Sequence, residues 1–475
     1  MKKKLLTSSL IVITILIVCT FLFNHKLDTK TGTVLNTNKS KVNNNSPKTI
    51  PKKPEIHVPK EALNHDNPSL SSESKDLRKF PYPYKSMLSI CSDIDDATIE
   101  EFKLYHKFLN TQEDTPYGKG IGLDIGDSFW MYMADDMNFK VDKENHGVDH
   151  IMTFFKGIDP TKKYKANEII NYINCGWIDS IHSFGDFSTN TEKNTKFQRD
   201  LAIKALEALK NSNSNVSVWI NHGNRANKQN FGSGDLSEFM SYQEGDKKGS
   251  NYYHTDLTLK NNIKYVWNSL NDTTFGFNYP IFQINLRDGQ KVWGFSRHTN
   301  YIKDKKIDWT WTPKHLHRQL TKNNLDNIVN KNQYSIVAQH FGVSTEDLFE
   351  KKNVKALKRL KNYQDNGKIL IAKTSRLLNY ANVQKHLVYK KINVNNKTYI
   401  NILSVKDPIF GTFIPTLNDI KGITFYCENP NNTILLLNDK VIPEENIQTN
   451  HKDKHGKASI SLKWFNFDYK DYTKQ

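Results

Sequence analysis

The chain has 475 residues and only four cysteines. Cys19 falls in an apolar run, while Cys91, Cys175 and Cys427 lie far apart, without the close spacing of a metal knuckle. That scarcity excludes a disulfide framework, so a large hydrophobic core must hold the fold. Apolar residues are also limited, at 37% hydrophobic against 25% charged, and no second run is long enough to span a membrane. Nucleic-acid motifs are absent, and no nucleic-acid partner is expected. The formal net charge of +17 reads first as a lysine-rich, soluble surface. Its sharper reading is attraction to anionic lipid or to an acidic cell-surface polymer.

One long apolar run is present. Met1-Lys2-Lys3-Lys4 is followed by uncharged sequence from Leu5 to Phe23. Nineteen residues at about 1.5 Å each can cross a hydrocarbon core of about 30 Å. The leading lysines place the N-terminus inside the cell. A cleaved signal peptide also fits the charged start, but no small-x-small site closes the run. A lipid on Cys19 is a further form of attachment, although Val18 stands where a small residue is usual. The expectation is a single-pass cell-membrane protein with its folded part outside the cytoplasm. Residues 1–26 are its transmembrane anchor. Residues 27–80, rich in Lys, Asn and Pro and nearly free of aromatics, are expected to be a disordered linker.

From Tyr82 the texture changes. Seven apolar runs of strand length occur before about residue 375: Met87–Ser92, Gly120–Ile125, Trp177–His182, Val216–Asn221, Ile263–Trp267, Tyr334–His340 and Ile369–Ala372. Helical periods separate several of them, as in Thr98–Leu109, Lys196–Lys210 and Val354–Tyr363. Strand–helix alternation implies parallel strands with helical crossovers. Seven such units predict an α/β fold, a seven-stranded (β/α) barrel over residues 81–385. After about His386 short alternating runs (KTYINILSV, GITFYCE, TILLLND, ASISLKWFNF) predict a small C-terminal β-sandwich over 386–475.

In parallel barrels, reactive side chains collect at the C-terminal strand ends. Here those ends carry Asp93, Asp95 and Asp96; Asp124 and Asp127; His182 and Asp186; Asn221 and His222; and His340. Three neighbouring acids repel one another unless a cation offsets them. Asp and His donors suit a divalent metal, zinc foremost. His182 and Asp186 are spaced to reach one ion. The bland alternative is that Asp95 and Asp96 merely open a helix, since DDATIEEF fits a capping stretch. His340 ends the apolar run YSIVAQH, where a general acid or a core histidine would both fit. The aromatic stretches SFWMYM, which contains Trp130, and DWTWTP can line a sugar groove or fill a core.

These motifs resemble the polysaccharide deacetylase family, the NodB-homology group of carbohydrate esterases, over about residues 82–385. SICSDIDD stands where the family has its first Asp-Asp motif. HSFGD stands at its His-Ser/Thr motif, with Asp186 at the place of a second His. SIVAQH matches its late strand ending in a catalytic His. KILIAKTSRLLNYANVQ looks like its final strand and helix. The resemblance implies metal-dependent removal of N- or O-acetyl groups from a cell-surface or wall polysaccharide. It implies Asp93 as catalytic base and His340 as acid. Asp95 or Asp96, with His182 and Asp186, would hold the metal, and Asn221, His222, Asp124 and Trp130 would lie on the substrate side. NHGNR replaces the family's Arg-x-Pro, so the base lacks its usual partner at that place. Two other readings stand beside this one. A metal-independent glycoside hydrolase on a related barrel would pair two carboxylates, Asp93 and Asp124. A non-catalytic relative would only bind glycan.

Overall fold

The sequence SMLSICS forms strand β1 (Ser86–Ser92), and all seven of its residues are buried. Its side chains are small or apolar, so both faces can be covered, as in a parallel sheet. In chain order the other strands of the two main sheets of this region are β2 (Gly126–Asp127), β3 (Ser180–His182), β4 (Val218–Ile220), β5 (Tyr265–Trp267), β6 (Ile281–Asn285), β7 (Lys291–Phe295), β8 (Tyr334–Gln339) and β9 (Ile369–Ile371), beside short two-stranded pairs. β1 lies between β8 and β9, with β2 paired to its last two residues. A second sheet runs β6-β7-β5-β4-β3, parallel except for the β6–β7 hairpin. Single parallel bridges, Asp127 to Ile178 and His298 to Val337, link segments next to the edges of the two sheets. The chain is thus a mixed α/β protein. This computed structural model describes residues 56–134, 139–141, 147–232, 241–268 and 273–474.

The helices explain themselves locally. α1 (Ile99–Asn110) is opened by a capping box in which Thr98 accepts from the Glu101 N–H and Glu101 accepts from the Thr98 N–H. Its Phe102, Tyr105, Phe108 and Leu109 are buried, at helical spacing. α2 (Ala166–Cys175) stops at Gly176, whose φ of 84° is left-handed. α3 (Arg199–Asn211), α4 (Lys322–Lys331), α5 (Lys351–Asp365) and α6 (Thr374–His386) complete the set used below.

The strands separate two apolar clusters. Leu88, Ile90, Trp219, Val266, Val292, Val337 and Ile371 face the helical side with α1 and α3. Met87, Cys91, Val218, Ile220, Tyr265, Phe295, Ile336 and Leu370 face the other side. That second cluster does not end at residue 385. It continues through Leu377 and Tyr380 of α6 into Leu387, Tyr389, Ile400, Phe425 and Ile460. Leu387, Tyr389 and Ile400 belong to a C-terminal sheet built on β10 (Leu387–Val394), β11 (Lys397–Asp407) and β12 (Thr433–Leu437), and Phe425 and Ile460 to a second sheet of Thr424–Tyr426, Ile447–Asn450 and Ser459–Leu462. The Trp293 indole and the Asn382 amide both donate to Asp407 across the junction, at 3.2 and 2.7 Å. Everything from His57 onward clusters as one compact unit.

Several expectations need correction. Gly120–Ile125 forms no strand; the pairing residues are Gly126–Asp127. The hairpin β6–β7 falls outside the predicted strands, although Asp288-Gly289 between two alternating runs is a hairpin signal. The last part of the expected linker is folded. Lys60–Leu63 is helical, Ser69–Leu70 pairs with β10, and Leu77 and Phe80 are buried in the second cluster. Residues 27–55 and the Leu5–Phe23 run lie outside the described residues. Among the described residues no helix is long and apolar enough to cross a membrane. Phe80, at 3% exposure, provides a test. Phe80→Ala should lower the unfolding free energy by about 3–5 kcal/mol, read from a denaturant midpoint. A linker residue would give almost no change.

Candidate active site

Beyond its last paired residue, β1 keeps its ladder register for one more step, and the Asp93 N–H donates to the Gln339 carbonyl at 2.9 Å. This sends the Asp93 side chain into the interior, where it is 2% exposed. A buried carboxylate needs a counter-ion. It has one in Arg297, 1% exposed, whose Nη1 lies 2.5 Å from Asp93 Oδ1. Arg297 follows β7 and stacks on Trp267, its guanidinium carbon 3.8 Å from the ring centroid. Burial pushes the Asp93 carboxyl up. Arg297, then His340 and His182, outweigh that and hold it well below the usual carboxylate range.

His340 comes from the end of β8. Its Nε2 lies 3.2 Å from Asp93 Oδ2 and 3.5 Å from Asp95 Oδ2. Its Nδ1 lies 2.9 Å from the Trp311 carbonyl oxygen, an acceptor only, so Nδ1 carries the proton and donates. Burial opposes protonation of this ring, but Asp95 and Asp93 raise its pKa overall.

Asp95 takes a left-handed φ of 30°, a conformation that costs free energy for a residue other than glycine and is held by the surrounding structure. Its turn brings Oδ1 to 3.3 Å from His182 Nδ1 and 3.9 Å from His222 Nδ1. The two imidazoles approach at 3.2 Å between His182 Nε2 and His222 Nδ1. Asp95, His182 and His222 therefore each offer a ligand atom within 4.8 Å of the others. Both Asp95 Oδ1 and His182 Nδ1 are buried without a hydrogen-bond partner. Buried polar atoms are normally paired, so two such orphans facing each other fit a shared cation. Donors about 2.1 Å from a tetrahedral ion would stand about 3.4 Å apart; the Asp95 Oδ1–His182 Nδ1 pair has that spacing, and the His222 donor lies within 4.8 Å of both. Burial raises the Asp95 pKa to about 6. Burial drives His182 well below its ordinary value. Burial also pulls His222 down, but its hydrogen bond to Asp186 and the charges of Asp186, Asp95 and Asp93 lift it to about 9.

The other expected residues take different places. Asp186 is not among the three grouped donors. It lies 3.4 Å from His222 Nε2 and accepts the Ser188 N–H at 2.8 Å, the place of a carboxylate that orients a ligand histidine. Asp96 follows the turn with an exposed side chain. His222, expected on the substrate side, is the second imidazole of the group. Asn221 is turned into the fold, accepting from Trp219 Nε1 and the Phe231 N–H and donating to the Phe231 carbonyl. Asp124 accepts from the Lys373 N–H at 3.3 Å and Arg376 at 2.8 Å, apart from this cluster. Trp130 is 1% exposed. It stacks on His182 at 4.2 Å and donates to the Asp95 carbonyl oxygen at 3.0 Å, so it braces two of the donors. Arg297 was legible only as a charge two residues after KVWGF, a strand that the predicted set lacked. Trp311 acts through its backbone, which no side-chain pattern reveals.

Compared with known protein families and with curated proteins, the chain matches no family model and no individual sequence.

Proposed function

We propose that this protein is a metal-dependent carbohydrate deacetylase, anchored in the cell membrane and working outside the cytoplasm on acetylated cell-surface or wall polysaccharide. The observation that carries this reading is one cluster in which a buried, ionised Asp93, an oriented His340 and the Asp95–His182–His222 donor group converge. The substrate class rests on the motif resemblance, and the location on the Leu5–Phe23 run. For the scaffold we read β1, β2, β3, β4, β5, β7 and β8 as a seven-stranded barrel, with the Asp127–Ile178 and His298–Val337 bridges as its seams. β9 then wedges beside the first half of β1.

A divalent cation, zinc by its donor set, would be held by Asp95, His182 and His222 and would supply Lewis-acid polarisation of the acetyl carbonyl. Asp93 takes the proton of the attacking water. Arg297 keeps it ionised for that task and holds it in one position. His340 donates from Nε2 to the departing amine or alkoxide, with its Nδ1–H held by Trp311. Asp186 keeps His222 in register. Each proton-transfer group is worth about 10²–10⁴-fold in rate. Asp93→Asn should therefore lower kcat by about 10²–10⁴-fold while metal content, read by elemental analysis, stays at the wild-type level. Release of acetate from an acetylated chitooligosaccharide is the direct assay, and no acetate from this or from O-acetylated wall polymer would end the proposal. The glycosidase reading loses support because Asp124 is held by Arg376 and Lys373 rather than facing Asp93.

A further inference from the structure

We infer that the protein carries a second binding site, a cleft for an acidic polymer segment, at the end of the central strands opposite the Asp93 cluster. Lys85 immediately precedes β1 and Asp93 immediately follows it. Eight steps at about 3.3 Å put the two ends about 26 Å apart. At the Lys85 end lies a cleft of about 520 Å³ whose walls include Arg78, Lys79, Lys85, Lys454, Tyr82 and Tyr426. Its floor joins the segment before β1 to the C-terminal sheet.

The charge in the cleft is mainly positive, with Asp453 as its one acid, and two of the cations are held in place. Arg78 Nη2 donates to the Tyr84 carbonyl at 3.2 Å, and the guanidinium carbon lies 5.2 Å from the Tyr82 ring centroid. Its other terminal nitrogen, Nη1, is buried without a hydrogen-bond partner. Tyr426 and Asp453 lie near this guanidinium, yet Nη1 has no acceptor in hydrogen-bond geometry, and a carboxylate or phosphate oxygen would supply one. Lys79 is held by the Asn332 carbonyl at 2.6 Å. Among the described residues, no carboxylate pairs with Arg78, Lys79, Lys85 or Lys454 within 4.0 Å. The one acid on the wall, Asp453, feels the charge of Arg78, but its oxygens already hold other donors. It accepts the Tyr426 hydroxyl at 3.0 Å and the N–H groups of His455 and Lys457 at 2.8 and 3.3 Å. Half-buried tyrosines beside cations suit a saccharide ring that bears an anionic group. The chain's own residues 1–55 are a poor occupant, with ten lysines against Asp28 and Glu55. The shared chemistry is a polymer-borne oxyanion, either a uronate carboxylate or a phosphodiester.

The test uses the full chain in neutral detergent, with polygalacturonate, inorganic polyphosphate and neutral dextran as probes in a direct binding assay. The expected result is saturable binding of one or both polyanions and none of dextran; the tighter polyanion identifies the group. Arg78→Gln with Lys85→Gln and Lys454→Gln should weaken binding by roughly 10-fold or more, as loss of charge-assisted hydrogen bonds requires. Lys193→Gln with Lys355→Gln and Lys358→Gln removes the same charge from exposed positions elsewhere and should leave binding nearly intact. If the Arg78 change unfolds the protein, Lys85→Gln with Lys454→Gln should still weaken binding several-fold. Equal loss in both charge sets would show only the general field of a +17 protein and would overturn the site. Unchanged binding in the cleft variants would also overturn it. So would binding of short-chain phosphatidylglycerol micelles with no binding of either polymer. None of these outcomes depends on deacetylation.

Discussion

A His222→Ala protein should purify with almost no zinc and release no acetate above background, while keeping its fold. The same holds for His182→Ala. The argument rests on count and geometry. Asp95, His182 and His222 are the three donors grouped within 4.8 Å, and catalytic zinc sites are commonly built from three protein ligands. Losing one leaves two, and two donors do not hold the ion at ordinary concentrations. Asp186→Asn is a graded version. It keeps the ligands but removes the carboxylate that orients His222, which should weaken metal affinity about 10–100-fold. Elemental analysis of the purified variants with a zinc titration gives the order directly. Full zinc in His222→Ala with unchanged activity would mean that the cluster is not the centre described here.

Replacing Arg297 by methionine should be the most destabilising single change in the cluster. It removes the strongest counter-charge of buried Asp93 and leaves only His340 and His182 beside it, and breaking a buried pair in this way costs about 3–5 kcal/mol. The pH dependence gives the sign. In the native protein the Asp93 pKa is depressed, so its contribution to stability is present above the unfolded carboxylate value of about 3.9 and is lost below it. In Arg297→Met the same group loses its largest stabilising charge, so its pKa rises from the native value and the ionised form present at neutral pH is the one destabilised. The deficit of the variant should therefore shrink on acidification. Adding Asp93→Asn to Arg297→Met should restore much of the stability and none of the activity. Denaturant melts of the metal-free proteins at pH 7 and pH 5 test both statements.

What was legible in the sequence follows local physics. β1, β8 and β9 show as short runs of mainly apolar and small residues with no charge, because they are buried on both faces. α1 shows through Thr98 and Glu101; its first-turn acids are Glu100 and Glu101, so Asp95 and Asp96 precede the helix rather than open it. Asp93 and His340 were legible because they close apolar strands. What stayed hidden depends on distance in the chain. Arg297 meets Asp93 from 204 residues away. His222 joins His182 across the β3–β4 pairing rather than through the HSFGD spacing that pointed to Asp186. A short hairpin such as β6–β7 has too few residues for its period to stand out. The 57–80 segment looked like linker because its composition is polar, yet Ala62, Leu77 and Phe80 are buried and Ser69–Leu70 pairs with β10.

The second apolar cluster, continuous from β1 through α6 into the C-terminal sheets, has a consequence for the order of folding. Strands that supply its first half are made early in synthesis, and residues that cover them, such as Ile400 and Phe425, arrive some 300 positions later. Contacts this remote slow folding, because the closing of long loops precedes any gain from the contact. A growing chain that has passed Cys91 but not Phe425 exposes unmatched apolar strands throughout that interval. Such a chain is a client for a holding chaperone, and a truncation near residue 385 would keep it in that state permanently.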